Sequence, residues 1–461
     1  MSTLDLCILT FNCGRTLIDV SSFALLVLDP LFDSSAPDIV VLSLQEIAPI
    51  AYSFIGGTWL DPYLNSFVDA LHITAQSHGG NTYENIVSKN VGMTALLVFV
   101  KADVVDKIKE VDVGGVGVGW LEMGNKGAVG TRLRWAGSEE DQDSYTTFVA
   151  AHLAPMEEKF ERRNQDWENI IRNLVLTSER SVATSNSRPS TSVVAEEQQP
   201  LLSSATSASS SQHRIYDSSS YFFLAGDLNY RTRDTPPPPD AYKYYPRPTS
   251  DRSSPSHYSQ YLTTDQLTRE RLAGHTLQHL SEVPIDFPPT YKYEQPSHSE
   301  YSNELSTART QDSANGSTVP DSLLAARNAK HSPDPYATET WIWAKHRAPS
   351  WCDRILFFAS PALKIGKYKA MPLLASSDHR AVVLSAKIEA SSLNAGTEGK
   401  QSPFAINPNW KSQRDTARRR ELIVGVIAYA ATTIEGTMIV IAVGIGLFAG
   451  ALALKKYFAG V

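Results

Sequence analysis

Two short strings, Gly226-Asp227-Leu228-Asn229-Tyr230-Arg231 and Ser377-Asp378-His379-Arg380, hold side chains suited to hydrolysing a phosphate ester. The first supplies a carboxylate, an amide and a guanidinium. The second supplies a carboxylate beside an imidazole, then another guanidinium. Together they offer a base for water, a polariser for phosphoryl oxygens and cations for negative charge. Asp227 and Asn229 lie two apart, so in extended backbone they point the same way.

Rigid elements must hold such groups. Apolar runs at 221–225 and 371–375 precede the two strings, which places both at expected strand ends. There a sheet fixes the backbone while the adjoining loop opens to solvent. Residues 4–10, 39–44, 94–101 and 146–151 read as further strands. Phe160, Trp167, Ile170, Ile171, Leu174 and Val175 recur near a 3.6 spacing, which predicts a helix over 160–178. Strands and helices alternate irregularly, without a βαβ period. That favours mixed sheets packed face to face with helices outside, an α+β class, over a doubly wound parallel sheet.

The chain has 461 residues, and 42% hydrophobic content allows a large core. A net charge of -7 excludes a polycation that coats nucleic acid, so attraction to anions must be local to a cleft. Cys7, Cys13 and Cys352 form neither a disulfide framework nor a zinc spacing and read as reduced thiols. No secretory signal is expected at the N-terminus. Between Leu422 and Leu454 the only charged residue is Glu435, and 436–454 is apolar or small throughout. At 1.5 Å per residue that run reaches about 28 Å, close to a bilayer's hydrocarbon thickness. Lys411, Arg414 and Arg418 to Arg420 precede it and only Lys455 and Lys456 follow, so the N-terminal part is expected in the cytosol. The run reads as a tail anchor. Residues 422–434 are open between interface, extended span and half a hairpin.

Other motifs fall at further expected strand ends. They are Phe11-Asn12, Gln45-Glu46, Gly124-Asn125-Lys126-Gly127, His152-Leu153, Pro289-Thr290-Tyr291-Lys292 and Trp351-Cys352-Asp353-Arg354. A spacing of Gly119-x4-Gly124-Asn-Lys126 is not a nucleotide P-loop, because the Lys-Ser/Thr ending is missing. Taken together, these strings resemble the inositol polyphosphate 5-phosphatases of the endonuclease/exonuclease/phosphatase superfamily, over about residues 4 to 388. The resemblance implies a four-layer α/β/β/α sandwich of two mixed sheets, followed here by a C-terminal transmembrane helix. Expected boundaries are 1–390 for the catalytic domain, 391–420 for a linker and 421–461 for the anchor. Two polar stretches, about 181–220 and 294–338, are expected to be disordered insertions. Asn315-Gly316-Ser317 fits a glycosylation pattern that a cytosolic location would leave unused.

The resemblance also implies roles. Asp227 orients and deprotonates the attacking water and Asn229 binds phosphoryl oxygens. His379 and His152 contact the scissile phosphate, and Asp378 or another acid fixes the His379 tautomer. Glu46, with Asn12 close by, holds Mg²⁺, a hard cation that takes oxygen ligands. Lys126, Asn125, Lys292, Arg354 and Arg231 belong to substrate binding. Tyr291 and Tyr230 either border the inositol ring or pack.

Two departures stand out: Phe11-Asn12-Cys13-Gly14 replaces the family's Trp-Asn-x-Asn-Gly, and Ala381 replaces a proline. The expected activity is Mg²⁺-dependent 5-phosphatase action on phosphatidylinositol 4,5-bisphosphate. The anchor favours a lipid over soluble inositol phosphates, and this architecture resembles tail-anchored fungal enzymes of the endoplasmic reticulum. Alternatives are a sphingomyelinase-like phosphodiesterase of the same superfamily and a silent phosphoinositide-binding tether. A nuclease is disfavoured by the acidic balance. Oligomeric state is not indicated.

Overall fold

The computed structural model describes residues 3–32, 35–136, 144–181, 212–216, 220–249, 251–294, 341–389 and 400–459. Most of the two polar stretches, and Asn315-Gly316-Ser317, lie outside the described residues. The first seven strands are β1 (Thr3–Asn12), β2 (Ile39–Gln45), β3 (Tyr83–Val91), β4 (Thr94–Lys101), β5 (Ile108–Gly117), β6 (Gly127–Trp135) and β7 (Ser144–His152). They are followed by β8 (Val175–Ser181), β9 (Gln212–Arg214), β10 (Ser220–Asp227), β11 (Leu280–Ser281), β12 (Asp353–Phe358), β13 (Leu363–Ala370) and β14 (Val382–Glu389).

These strands form a six-stranded sheet, β13-β14-β1-β2-β4-β3, and an eight-stranded sheet, β11-β12-β10-β7-β6-β5-β8-β9. Each contains one parallel pair, β1 with β2 and β7 with β10, so both sheets are mixed as expected. Along β1, Leu4, Leu6 and Ile8 enter the core between the sheets, while Cys7, Leu9 and Phe11 pack on the opposite side. That outer side is covered by the Val20–Phe32 and Asp61–Ser77 helices. The eight-stranded sheet is covered by Phe160–Asn173 and Gln266–Leu272. Strands buried on both faces explain their near-continuous apolar runs. The result is the four-layer α/β/β/α sandwich.

Three elements differ from expectation. The 160–178 helix stops at Asn173, and Val175–Ser181 leaves it to pair with β5, where β-branched Val175 and Thr177 suit a pleated surface. Residues 371–375 are a loop: β13 ends at Ala370, and Pro372 has no amide to continue the ladder. Finally, residues 410–420 belong to a helix, Trp410–Thr432, that packs against the Ile50–Ile55 helix. A Cβ on Gly425 would lie 2.9 Å from Phe54 Cβ, so glycine permits this approach. After Thr433 comes Ile434–Ala459, of which Ile434–Leu452 is long and apolar enough to cross a membrane.

Candidate active site

Strand register sets the site. His152 pairs laterally with both Gly127 and Asp227, and Asp227 pairs with Asp353, so one row crosses β6, β7, β10 and β12. Side-chain alternation then decides which way each member faces. Phe148 and Ala150 enter the inter-sheet core, so His152 shares their face. Tyr221, Phe223 and Ala225 do the same for Asp227, and Ile355 and Phe357 for Asp353. At this end the two sheets part to form a cleft of about 750 Å³, lined by Asn12, Glu46, Lys126, His152, Asp227, Asn229, Arg231, Tyr291, Lys292, Asp378 and His379, among others.

Asp227 is the hub. Its Oδ2 accepts from Asn12 Nδ2 at 2.9 Å and lies 3.3 Å from His152 Nε2 and 4.0 Å from His379 Nε2. Its Oδ1 accepts the Asn229 amide at 3.1 Å. Burial works against the charge, but His152, His379 and Lys126 outweigh it and hold this carboxyl well below the usual range. Asn229 adopts φ +59°, a left-handed conformation that asparagine tolerates, and donates Nδ2 to Leu153 O at 3.1 Å. Arg231 donates to both oxygens of Asn229 and lies 4.3 Å over the Tyr291 ring.

His379 is oriented by Asp353, with Nδ1 and Oδ2 2.8 Å apart. Burial disfavours the imidazolium, yet Asp353 and Asp227 overcome that and raise His379 to about 9. Burial pushes Asp353 up to about 6, so the pair is charged between those values. The tautomer-fixing acid is therefore Asp353. Asp378 instead accepts from Lys292 Nζ at 2.6 Å. Burial lowers Lys292, but Asp378 reverses the sign and keeps it cationic.

Glu46 follows β2, whose residue Gln45 lies beside Asn12 of β1. Strict alternation along β2 would turn Glu46 away from the cleft, because Val41 and Gln45 share the inner parity. Its φ of +47° breaks the alternation and aims the carboxylate inward. There it meets Arg15 Nε at 2.6 Å and Lys126 Nζ at 3.5 Å. Burial alone would raise its pKa, but His152, Lys126 and Arg15 lower it to about 2. Lys126 also contacts the His152 ring. Burial, then Lys126, pushes His152 below its ordinary value.

The sequence pattern of Endonuclease/Exonuclease/phosphatase family 2 matches residues 9–312 and 331–385. The chain belongs to that family. It is 27% identical over 57% of its length to Type II inositol polyphosphate 5-phosphatase 14 of Arabidopsis thaliana, covering 21% of that protein. It is 24% identical over 71% to human Phosphatidylinositol 3,4,5-trisphosphate 5-phosphatase 1, covering 22% of it. With Polyphosphatidylinositol phosphatase INP53 of Saccharomyces cerevisiae it shares 25% over 83%, covering 26%. The chain thus spans about a fifth to a quarter of these relatives. Among solved structures, the inositol polyphosphate 5-phosphatase domain of SPsynaptojanin, in complex with inositol (1,4)-bisphosphate and calcium, superposes with a TM-score of 0.54. It shares 18% identity, with 91% of this chain and 90% of that one covered, which shows the same fold.

Within this family member, two expected substrate contacts lie elsewhere. Arg354 alternates with Asp353 on β12 and so faces away from the cleft. It is wholly buried, with Nη1 3.1 Å from Asp265 and Nε 2.6 Å from Glu282. Asn125 is not on the cleft wall either; its Oδ1 packs under Gly119, where a Cβ would come within 1.9 Å. Tyr230 packs too, hydrogen-bonded to Asn164 and Thr276. Sequence reasoning overlooked Asp353, Arg15, His346 and Arg347, all but Asp353 on the cleft wall. Period-two alternation within Trp351-Cys352-Asp353-Arg354 was the signal available for Asp353. Arg354→Met is expected to cost about 3 kcal/mol or more, because it strands two buried carboxylates. Chemical unfolding measures that loss, and an unchanged KM of the folded fraction separates it from phosphate gripping.

Proposed function

We propose that this protein removes the 5-phosphate of phosphoinositides, most directly converting phosphatidylinositol 4,5-bisphosphate to the 4-phosphate, with Mg²⁺, at a cytosol-facing membrane. The observation that carries this reading is the division of the cleft. Asp227 and His379 form a reactive centre, and the cations Lys126, Lys292, Arg231 and Arg347 line the surrounding wall. A single phosphate does not need so many cations; a ring bearing several does. Arg231 Nη1 is buried with no hydrogen-bond partner among the described residues, as suits an anion yet to bind. The names of the relatives support the same substrate class.

Glu46, held ionised, and Asn12 both line the cleft, and their side-chain oxygens are of the type that a hard divalent cation takes. Such a cation would lend positive charge to the phosphoryl oxygens and the leaving oxygen. The chain's own groups supply the rest. Asn229, His152 and protonated His379 bind the scissile phosphate. Asp227 orients a water whose oxygen bonds to phosphorus as the bond to the inositol 5-oxygen breaks. A carboxylate held so acidic is a poor base in the free enzyme. The incoming phosphate anion offsets the cations that depress it, which raises its basicity when a proton must be taken.

The Ile434–Leu452 helix supports anchoring, and the resemblance to tail-anchored enzymes supports the endoplasmic reticulum. The flanking cations support orientation less than their number suggests. Arg418 donates to Phe54 O and Ile55 O, and Arg420 to Leu121 O, so both also serve docking of the preceding helix. Phosphate release from phosphatidylinositol 4,5-bisphosphate in mixed micelles tests the reading. Release that requires Mg²⁺, stops with EDTA and leaves the 4-phosphate is expected. Absence of release from this lipid and from inositol 1,4,5-trisphosphate would end it.

A further inference from the structure

The helix leading to the apolar span also reaches the loop that carries Lys126. Glu421, wholly buried, accepts the Gly124 amide at 2.8 Å through Oε1, across 297 residues of sequence. Arg414 Nη1 lies 2.8 Å from the same oxygen, and Arg418 Nη1 3.5 Å from the other. The Gly124 carbonyl accepts from Met93 N at 2.8 Å, so both polar groups of this residue are held from outside the loop. Gly124 is also tightly enclosed: a Cβ there would lie 2.7 Å from Gly92 N. Just before it, Leu121 and Glu122 take φ of +52° and +63°, conformations that persist when surroundings impose them. Arg420 Nη1 donates to Leu121 O at 3.0 Å from the same helix. Two residues beyond Gly124, Lys126 reaches Glu46 and His152.

We infer that Glu421 is a positioning residue for Lys126, which makes the helix Trp410–Thr432 a working part of the catalytic site. A charge-assisted bond is stronger than a neutral one, and the two arginines keep the acceptor in place. Without it, a buried amide has no partner, and the loop must shift to reach water. A displacement of about 1 Å in a substrate-positioning group costs about 10²-fold in rate. The inference rests on the phosphatase reading for its kinetic arm only.

The test uses the full chain in detergent with soluble inositol 1,4,5-trisphosphate, which removes any contribution from membrane docking. Glu421→Ala is expected to lower kcat/KM by about 10- to 100-fold. Glu421→Gln, which keeps an acceptor oxygen, recovers most of it. In a Lys126→Met background, Glu421→Ala adds little, because its effect runs through the absent ammonium. An additive loss means general damage and overturns the inference. Hydrogen exchange supplies an arm independent of activity: amides of 119–126 exchange faster in Glu421→Ala while those of β6 and β7 do not. Unchanged exchange in the loop overturns the inference, even if the parent protein hydrolyses neither substrate and the phosphatase reading itself fails. If Glu421→Ala does not fold, Arg420→Ala carries the same cycle, with a smaller non-additive loss expected and an additive one decisive against.

Discussion

Asp227→Asn is expected to lower kcat by about 10³-fold or more while KM changes far less. The substitution keeps the shape and one acceptor, so it isolates the charge. That charge is what the surroundings are built around: Asn12, His152, His379 and the Asn229 amide all converge on one carboxylate. Loss of general-base action removes about 10²- to 10⁴-fold, and loss of the electrostatic hub acts in the same direction. His379 also loses one of the two carboxylates that keep it protonated. Removing one partner from a buried charged cluster costs about 3 to 5 kcal/mol. Thermal unfolding must therefore accompany the kinetics, with rates normalised to folded protein. A kcat within about tenfold of the parent would remove Asp227 from the centre of the reaction. His152 and His379 would then be the groups to reconsider.

Much of this centre was legible in the sequence, because a strand followed by a polar string is a local signal. Gly226 to Arg231 and His152-Leu153 fall at strand ends as expected, and register then brings their side chains together. What failed was less local. Asp353 and Arg354 are chain neighbours on a strand, so only one can face the cleft, and the family resemblance had pointed to the arginine. Asp378 is adjacent to His379 in sequence, yet the imidazole turns to Asp353, 26 residues away. Neighbours in a loop need not share a direction. Glu46 was found by position, although its inward aim depends on a positive φ that no apolar pattern announces. The helix Trp410–Thr432 read as linker and anchor because Ser391 to Gln413 is polar. Its docking rests on Glu421 and Gly425 meeting partners some 300 or more residues earlier, which is tertiary information.

Asp353→Asn is expected to reshape the pH profile as well as the rate. In the parent, the Asp353–His379 pair is charged between about 6 and about 9. Activity that needs the imidazolium should hold through neutral pH and fall as pH rises through about 9, where His379 loses its proton. Below about 6, protonation of Asp353 removes the support from the other side. The asparagine still accepts from Nδ1–H but carries no charge. Burial then dominates, and the alkaline limb moves down toward the ordinary imidazole value of about 6.5. It stops short of an isolated buried histidine, because Asp227 remains 4.0 Å from Nε2. At neutral pH the rate should fall by about 10⁴-fold, the scale seen when a buried acid that orients a catalytic imidazole is neutralised. Profiles of kcat/KM for parent and variant decide this. An equal drop at every pH, with both limbs unmoved, would mean that Asp353 supports structure only. A downward shift of the alkaline limb, with loss of the acid one, would instead show that this aspartate keeps the imidazolium charged for the phosphate.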